Sequence, residues 1–245
     1  MNLPGVYDIF NERWNGQTVW IYSDTHFDDE ELAAGTPGRL TSDEQVAAIN
    51  AKVGRKDVFI HLGDVGNIDH VRKIRGYKIL IMGNHDAGAT NYKRETKQFN
   101  FKQDEYSYAQ IKTILQAKYP NWKITIAEAM TATKEAGVVK LWTAFVDNQL
   151  FDEIYEGPLM IGEKLILSHE PLDCSWAFNI HGHIHSGHRV PTKTHLNVCS
   201  DVIKYTPLNL NNLLKTGLTS YITSIHRSTI DTATKRKQKR IQKKK

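Results

Sequence analysis

The stretch "TVWIYSDTHF", residues 18–27, joins a run of β-branched and aromatic residues to a polar Ser-Asp-Thr-His sequence. This composition predicts a buried strand that ends in a polar loop. The stretches "DVFIHLGDVG" at 57–66 and "YKILIMGNHD" at 77–86 repeat the pattern. Residues 40–54 have helical spacing, with Ser42 as the predicted N-terminal cap. Strands that alternate with helices predict βαβ units and a parallel sheet buried on both faces.

The second half of the chain continues the pattern. "EKLILSHEP" at 163–171 and "AFNIHGHIH" at 177–185 are predicted strands that end in histidines. "LNVCSDV" at 196–202 predicts an edge strand, and "YTPLNLNNLLK" at 205–215 predicts a short helix. These segments extend one α/β domain over residues 1–230.

Residues 91–150 depart from this pattern and are interpreted as an insertion within that domain. Helical spacing occurs in "EYSYAQIKTILQAKY" at 105–119, and strand-like alternation occurs in "NWKITIAEA" at 121–129. "VVKLWTAFV" at 138–146 again has helical spacing, so a second helix is predicted there. The insertion either adds packing or forms a cap that shapes a substrate pocket.

The charge of the chain is concentrated at its C-terminus. The formal net charge is +5, but the last eleven residues, "KRKQKRIQKKK", carry eight Lys or Arg and no acid. Without them, 24 basic residues face 27 acidic ones. Residues 231–245 are therefore predicted to be a basic, disordered tail. It either aids solubility or contacts nucleic acid.

The compartment is predicted from what the sequence lacks. The N-terminus has no basic segment followed by an apolar segment, so a secretory signal is not expected. No apolar run approaches the roughly 18 residues that a membrane span needs. Two cysteines beside eleven histidines do not resemble a disulfide framework. A cytoplasmic protein without a membrane partner is expected.

Potential ligands follow successive predicted strands. In open α/β sheets, ligands bind beyond the carboxyl ends of the strands. A single tetrahedral zinc site takes four ligands, whereas more side chains converge here, as two divalent ions about 3.5–4 Å apart would require. The side chains at these strand ends are Asp24, His26, Asp64, Asn84, His85, His169, His183 and His185.

The order of these motifs resembles a known family. "SDTHF", "GD", "GNHD", "LSHE" and "HGHIH" are similar, in that order, to the five blocks of calcineurin-like metallophosphoesterases. The resemblance covers roughly residues 18–90 and 160–202, and it is closest to small bacterial and phage-type single-domain members. "VGNI" after Asp64 lacks the arginine-bearing loop of the protein phosphatases, which argues against a phosphoprotein substrate.

The resemblance implies a four-layer α/β/β/α sandwich with a dinuclear metal centre. The implied ligands are Asp24, His26 and His185 for the first ion, Asn84, His169 and His183 for the second, and Asp64 as the bridge. It places His85 beside the ions as a catalytic residue that does not bind them. Asp86 is expected to fix the "GNHD" loop or to orient His85.

The resemblance also implies the reaction. A metal-bridging hydroxide would attack a phosphate ester, and a phosphodiester of a nucleotide or nucleic acid is the expected substrate. A phosphomonoesterase and a nucleic-acid-binding protein with a vestigial metal centre are the alternatives. Members of the family are often manganese-activated, so Mn²⁺ is expected. The Asp, Asn and His ligand set also admits Fe, Zn²⁺, Co²⁺ or Ni²⁺.

The stretch "NIHGHIHSGH", residues 179–188, leaves its own ambiguity. In an extended strand, His181, His183 and His185 would face one side, so spacing alone does not choose between them. The family pattern Gly-His-x-His begins at Gly182 and selects the last two. His61 is expected to be structural. The remaining candidates for contact with ligands or substrate are His181, His188, Asn197 and Asp201.

Overall fold

The protein is described by a computed structural model that covers residues 3–86, 90–133, 137–187 and 191–242. Within these residues the chain is a mixed α/β protein with three β-sheets. Its helices are α1 (Asp8–Trp14), α2 (Glu30–Gly35), α3 (Ser42–Asn50), α4 (Ile68–Val71), α5 (Tyr108–Lys118), α6 (Leu210–Lys215) and α7 (Ile225–Gln242). Its strands are β1 (Val19–Tyr22), β2 (Val58–His61), β3 (Tyr77–Ile81), β4 (Thr96–Lys102), β5 (Lys123–Thr133), β6 (Gly137–Asp147), β7 (Glu153–Tyr155), β8 (Leu159–Gly162), β9 (Leu165–Leu167), β10 (Phe178–His181), β11 (His195–Asn197) and β12 (Leu208–Asn209).

The first sheet has the strand order β12-β1-β2-β3-β7. Strands β1, β2, β3 and β7 are parallel, and β12 adds an antiparallel edge. All four residues of β2 are buried, because the strand has neighbours on both sides and packing on both faces. The predicted parallel sheet is confirmed, and it sends the loops after β1, β2 and β3 to one edge.

The second sheet has the order β11-β10-β9-β8. Strands β9, β10 and β11 are parallel, and β11 is the edge strand expected near residue 196. Ile21 and Ile60 of the first sheet share one hydrophobic core with Leu167 and Ile180 of the second. Both sheets therefore contribute to one core, and the loops that follow β1 and β10 meet, since the His183 N–H bonds to the Asp24 carboxylate.

Helix α3 begins one residue earlier than its predicted cap. Thr41 is the N-cap, and its hydroxyl and the Glu44 carboxylate form the reciprocal bonds of a capping box. The prediction of Ser42 as cap is wrong because two overlapping Ser/Thr-x-x-Glu/Gln frames fit the sequence. The Ser42 hydroxyl instead donates to Asp28 Oδ1 at 2.7 Å.

The segment 91–150 forms a sheet of its own. Strands β4, β6 and β5 are antiparallel, with β6 in the centre, and α5 packs on one face. The helix predicted at 138–146 is wrong. Trp142, Ala144 and Val146 also alternate, and hydrogen-bonded neighbours on both sides let a strand bury that row against α5.

The two ends of this segment are pinned to the rest of the chain. Arg94 pairs with Asp147 at 2.5 Å and with Asp152 at 2.7 Å. The Asn148 side chain accepts from the Glu95 backbone N–H at 3.0 Å and donates to the Lys93 carbonyl at 3.0 Å. The segment therefore leaves and rejoins the chain at one point, as an insertion does.

The C-terminal segment differs from the predicted disordered tail. Residues Ile225–Gln242 lie in one helix, α7. Lys, Arg and Gln have high helix propensity, which a count of like charges does not reveal. Among the described residues, no helix combines the length and apolarity of a membrane span.

Candidate metal centre

Two groups of potential metal ligands lie side by side where the two sheets meet. Within each group, one potential ligand atom per residue lies within 4.8 Å of the others. The groups are Asp24, His26 and His185, and Asp64, His169 and His183. Asp64 Oδ2 lies 3.4 Å from His26 Nε2 and 3.3 Å from His169 Nε2, so this carboxylate stands between the groups.

A close backbone approach brings the two sheets together at Gly182. The backbone N–H of His183 donates to the Asp24 carboxylate at 3.0 Å. A Cβ atom on Gly182 would lie 2.0 Å from Ser23 Oγ and 2.4 Å from Asp24 Oδ2. Only glycine therefore permits the loop after β10 to pack against the loop after β1.

Several of the converging residues have left-handed backbone conformations. The φ angles are +59° at Asp24, +40° at His26, +58° at Asp64 and +66° at His183. Such conformations cost non-glycine residues on the order of 1–3 kcal/mol each, and they concentrate at functional sites. The concentration of strained residues around one point supports a ligand-binding role for that point.

Asp86 holds two of these loops in place. Its Oδ2 accepts from the backbone N–H of Asp64 at 2.7 Å and of Gly83 at 2.9 Å. Its Oδ1 accepts from the N–H of Val65 at 3.0 Å. The buried carboxylate thus ties the "GNHD" loop to the "GD" loop, which is one of the two roles expected for it.

Both ring nitrogens of His169 face hydrogen-bond acceptors. Its Nδ1 lies 2.8 Å from the Leu62 carbonyl and therefore carries the donated proton. Its Nε2 faces Asn84 Oδ1 at 2.9 Å and Asp64 Oδ2 at 3.3 Å. In a neutral imidazole this nitrogen has a lone pair, so the arrangement requires either a second proton or a cation between the groups.

The first group repeats this arrangement. His185 Nδ1 lies 2.7 Å from Asp201 Oδ2, and its Nε2 faces Asp24. His26 Nδ1 lies 3.3 Å from Asp29 Oδ2, while its buried Nε2 has no hydrogen-bond partner. An outer nitrogen bound to an acceptor and an inner nitrogen free for a metal is the usual state of a ligating histidine. The residues therefore fit two divalent cations.

The pKa values of the two buried aspartates at the centre are shifted in opposite directions. Burial alone would raise the pKa of Asp64, but the imidazoles of His169 and His26 and the backbone N–H of His85 hold it well below its usual range. Burial raises the pKa of the Asp24 carboxyl, and nearby His169 opposes the rise. An anionic Asp24 is thus costly without a nearby positive charge, which a bound cation would provide.

A cleft of about 450 Å³ opens onto the centre. One wall consists of potential ligands and His85, whose ring centroid lies 5.3 Å from that of His26. The other wall consists of α2 and the residues that flank it, including Asp29, Glu31 and Thr36. None of the described residues that line the cleft comes from 91–150, so of the two roles considered for the insertion the cleft gives no support to the cap.

The remaining candidates have different environments. His181 was expected to bond to a ligand side chain, but its ring turns toward His195 and bonds to the Gly182 carbonyl at 2.9 Å. Asn197 donates to the Ile184 carbonyl at 2.6 Å and so supports the loop between the two histidines. His188 lies outside the described residues.

His61 has a structural environment. It is fully buried, and its ring lies 3.0 Å from Thr25 Oγ1 and accepts from the Gly63 N–H at 3.2 Å. Burial lowers the pKa of His61 to about 3, so the ring is neutral at physiological pH. It supports the loops after β1 and β2 without reaching the cleft.

Three residues at the centre have no signal in the sequence. Asp29 both caps α2 and contacts His26, and Tyr205 and Arg39 bind Asp201. Arg39 lies in a Pro-Gly loop with no ligand-like pattern around it. Only the packing of distant segments brings these side chains to the site.

Comparisons were made with family models, curated proteins and solved structures. The family model described as calcineurin-like phosphoesterase matches residues 17–187. No curated protein matches the chain. Among solved structures, the protein of unknown function AQ665 from Aquifex aeolicus is similar, with 19% identity, a TM-score of 0.49, and coverage of 82% of this chain and 100% of that chain. Because the family model spans most of the chain and includes every residue of both ligand groups, this protein belongs to the calcineurin-like phosphoesterase family.

Proposed function

We propose that the protein is a dinuclear-metal-dependent phosphodiesterase that acts on nucleotides or nucleic acid. The observation that supports it most directly is the set of inner nitrogens on His26, His169 and His185, which all face carboxylates while their outer nitrogens face acceptors. A protein that only binds a partner has no need for this arrangement. When bound, two ions would supply Lewis acidity and an activated water.

In this proposal Asn84 joins the second group, and Asp64 is shared between the two ions. Asp24, His26 and His185 hold one ion, and Asn84, His169 and His183 hold the other. Asp64 serves both, because its Oδ2 is the carboxylate oxygen between the groups. Mn²⁺ is the proposed metal, and the four-layer order of helices and sheets is proposed with it.

His85 is the proposed proton donor. Its side chain is exposed at the cleft wall, while its backbone N–H donates to Asp64 Oδ1 at 3.0 Å. The backbone bond anchors the residue beside the ions, and the ring stays free to reach the leaving oxygen of a bound ester. Protonation of that oxygen prevents an alkoxide from accumulating as the ester bond breaks.

The preference for diesters is part of the proposal. A cleft of about 450 Å³ lies within the size range of small-molecule sites. A phosphomonoesterase is the alternative. A cytoplasmic location is part of the proposal, because Cys174 and Cys199 are both free thiols.

The test is an assay with added Mn²⁺ that compares model monoesters with model diesters, followed by nucleotide and DNA panels. We expect hydrolysis that a chelator removes and that Mn²⁺ restores, with the diester cleaved faster. A faster monoester would favour the alternative. Nucleic-acid binding that persists without any hydrolysis would favour the vestigial centre.

Replacing His85 by alanine should lower kcat by about 10²–10⁴-fold, the usual contribution of general-acid help. Metal content should stay close to that of the wild type, because the bond from residue 85 to Asp64 comes from the backbone. Metal analysis beside steady-state kinetics checks both statements. Loss of an ion in the variant would show that His85 is a ligand.

Deleting residues 235–245 should leave turnover of a small diester unchanged. If the basic end of α7 contacts nucleic acid, the deletion should weaken DNA binding and flatten its salt dependence, since each phosphate contact contributes a log–log slope of roughly −0.7 to −0.9. Binding measured at several salt concentrations checks this. Equal slopes with and without these residues would contradict the contact with nucleic acid and leave solubility as the only proposed role.

A further inference from the structure

Arg39 is a buried cation whose contacts all lie on one side of the metal centre. Its side chain is 3% exposed and pairs with Asp201 Oδ2 at 2.5 Å. The same guanidinium donates to the backbone carbonyls of Thr25 at 2.8 Å and Asp24 at 3.1 Å. A planar fork with several donors can serve these separate acceptors at once.

Asp201 links Arg39 to the proposed ligand His185. The oxygen that pairs with Arg39 also accepts from His185 Nδ1 at 2.7 Å. The other oxygen accepts from the Tyr205 hydroxyl. Asp201 is thus held from two sides, and the imidazole of His185 is fixed with Nδ1 toward Asp201 and Nε2 toward Asp24.

These contacts act directly on the first ligand group. Through the two carbonyls Arg39 holds the turn that carries Asp24 and His26, and through Asp201 it holds His185. The second group touches this turn through the bond from the His183 N–H to the Asp24 carboxylate, and it is held otherwise by the bonds from His169 to the Leu62 carbonyl and from the Asp64 N–H to Asp86. A defect at Arg39 should therefore affect the two groups unequally.

A competing arrangement lies next to the first group. His185, Cys199 and Asp201 form a third set whose potential ligand atoms lie within 4.8 Å of one another. Arg39 occupies the Asp201 oxygen that faces His185, and its positive charge disfavours a cation there. The guanidinium thereby keeps Asp201 as the partner of His185 and not a metal ligand.

We propose that Arg39 is a positioning residue that assembles the first metal group, through the Asp24–Thr25 turn and the Asp201–His185 pair, and acts on the second group only indirectly. The inference rests on the proposed function only in that the centre binds two ions. Arg39 makes no bond to the ligand atoms themselves and acts through the residues that hold them.

The test uses the full-length protein with Arg39→Lys, titrated with Mn²⁺ and followed by electron paramagnetic resonance. A lysine keeps the charge but carries its donors on one nitrogen, so it does not reproduce the separate Nη1 contact to Asp201 and Nη2 contacts to the two carbonyls. We expect affinity at one of the two sites to fall by about 10–100-fold. The spectrum at one equivalent of bound metal should be that of an isolated ion, and the coupled pair should form only at higher Mn²⁺ concentrations.

Arg94→Lys is the matched control, because Arg94 also pairs with two aspartates but lies where the insertion leaves and rejoins the chain. It should bind two ions with wild-type affinities. Arg39→Gln is the second variant and decides the matter if Arg39→Lys does not fold. It removes the charge of residue 39 and leaves Asp201 and His185 unchanged, so weaker binding at one site is expected again.

Equal weakening of both ions, or two ions bound with wild-type affinity, in folded Arg39→Lys or Arg39→Gln protein would overturn the inference. These outcomes are separable from a failure of the proposed function. Wild-type protein that binds two ions and hydrolyses no phosphate ester would contradict the proposed function, while the metal titration would still decide the role of Arg39.

Discussion

Asp64→Asn protein is expected to lose hydrolysis of every phosphate ester that the wild-type protein cleaves. Asp64 Oδ2 lies within 3.4 Å of inner imidazole nitrogens from both ligand groups, so one change removes a negative charge from both proposed sites. Asparagine has nearly the same shape, and its oxygen can still accept from the His85 N–H. The effect therefore reports the charge and not a cavity.

The expected loss exceeds the roughly 10–100-fold typical of a residue that only supports a ligand. Activity with saturating Mn²⁺ and metal content after dialysis are the two measurements. Asp147→Asn is the matched control, because it removes an aspartate that is paired with Arg94 and does not line the cleft. Hydrolysis that persists in Asp64→Asn protein with unchanged metal content would contradict the bridging role.

The second large effect is expected from the histidines that follow β10. His183→Ala and His185→Ala should each lose an ion and nearly all activity, because each removes one imidazole from one ligand group. His181→Ala should cost less, within about 10–100-fold, since His181 bonds to the Gly182 carbonyl and acts through the loop. His188→Ala should be nearly silent on a small substrate.

Metal analysis of the four purified variants, together with turnover of a model diester, separates these roles. His181→Ala serves as the matched control because it removes the same side chain from the same stretch. An ion missing from His181→Ala protein would make His181 a ligand. Full occupancy in His183→Ala or His185→Ala protein would overturn the assignment of the residue concerned.

The local sequence determined the parts of this protein that depend on near neighbours in the chain. The apolar runs before Asp24, Asp64 and Asn84 predicted parallel strands, since a strand buried on both faces needs a continuous apolar run. The order of ligand-bearing loops also followed, because each loop begins where such a run ends. One pattern fitted two structures at residues 138–146, where helix and strand both agreed with it, and at the start of α3, where two caps did. The local sequence did not decide between them.

Only the tertiary structure decided which distant groups meet. The closeness of Gly182 to Asp24, the pairing of Arg39 with Asp201, and the use of α2 as the wall of the cleft join residues far apart in the chain. Such contacts depend on how the two sheets pack against each other. The periodicity of side chains along the sequence does not encode the distance between residues of different sheets. The sequence by itself therefore determined which residue types line the sheet edge, and the packing of the two sheets decided which of them share a site.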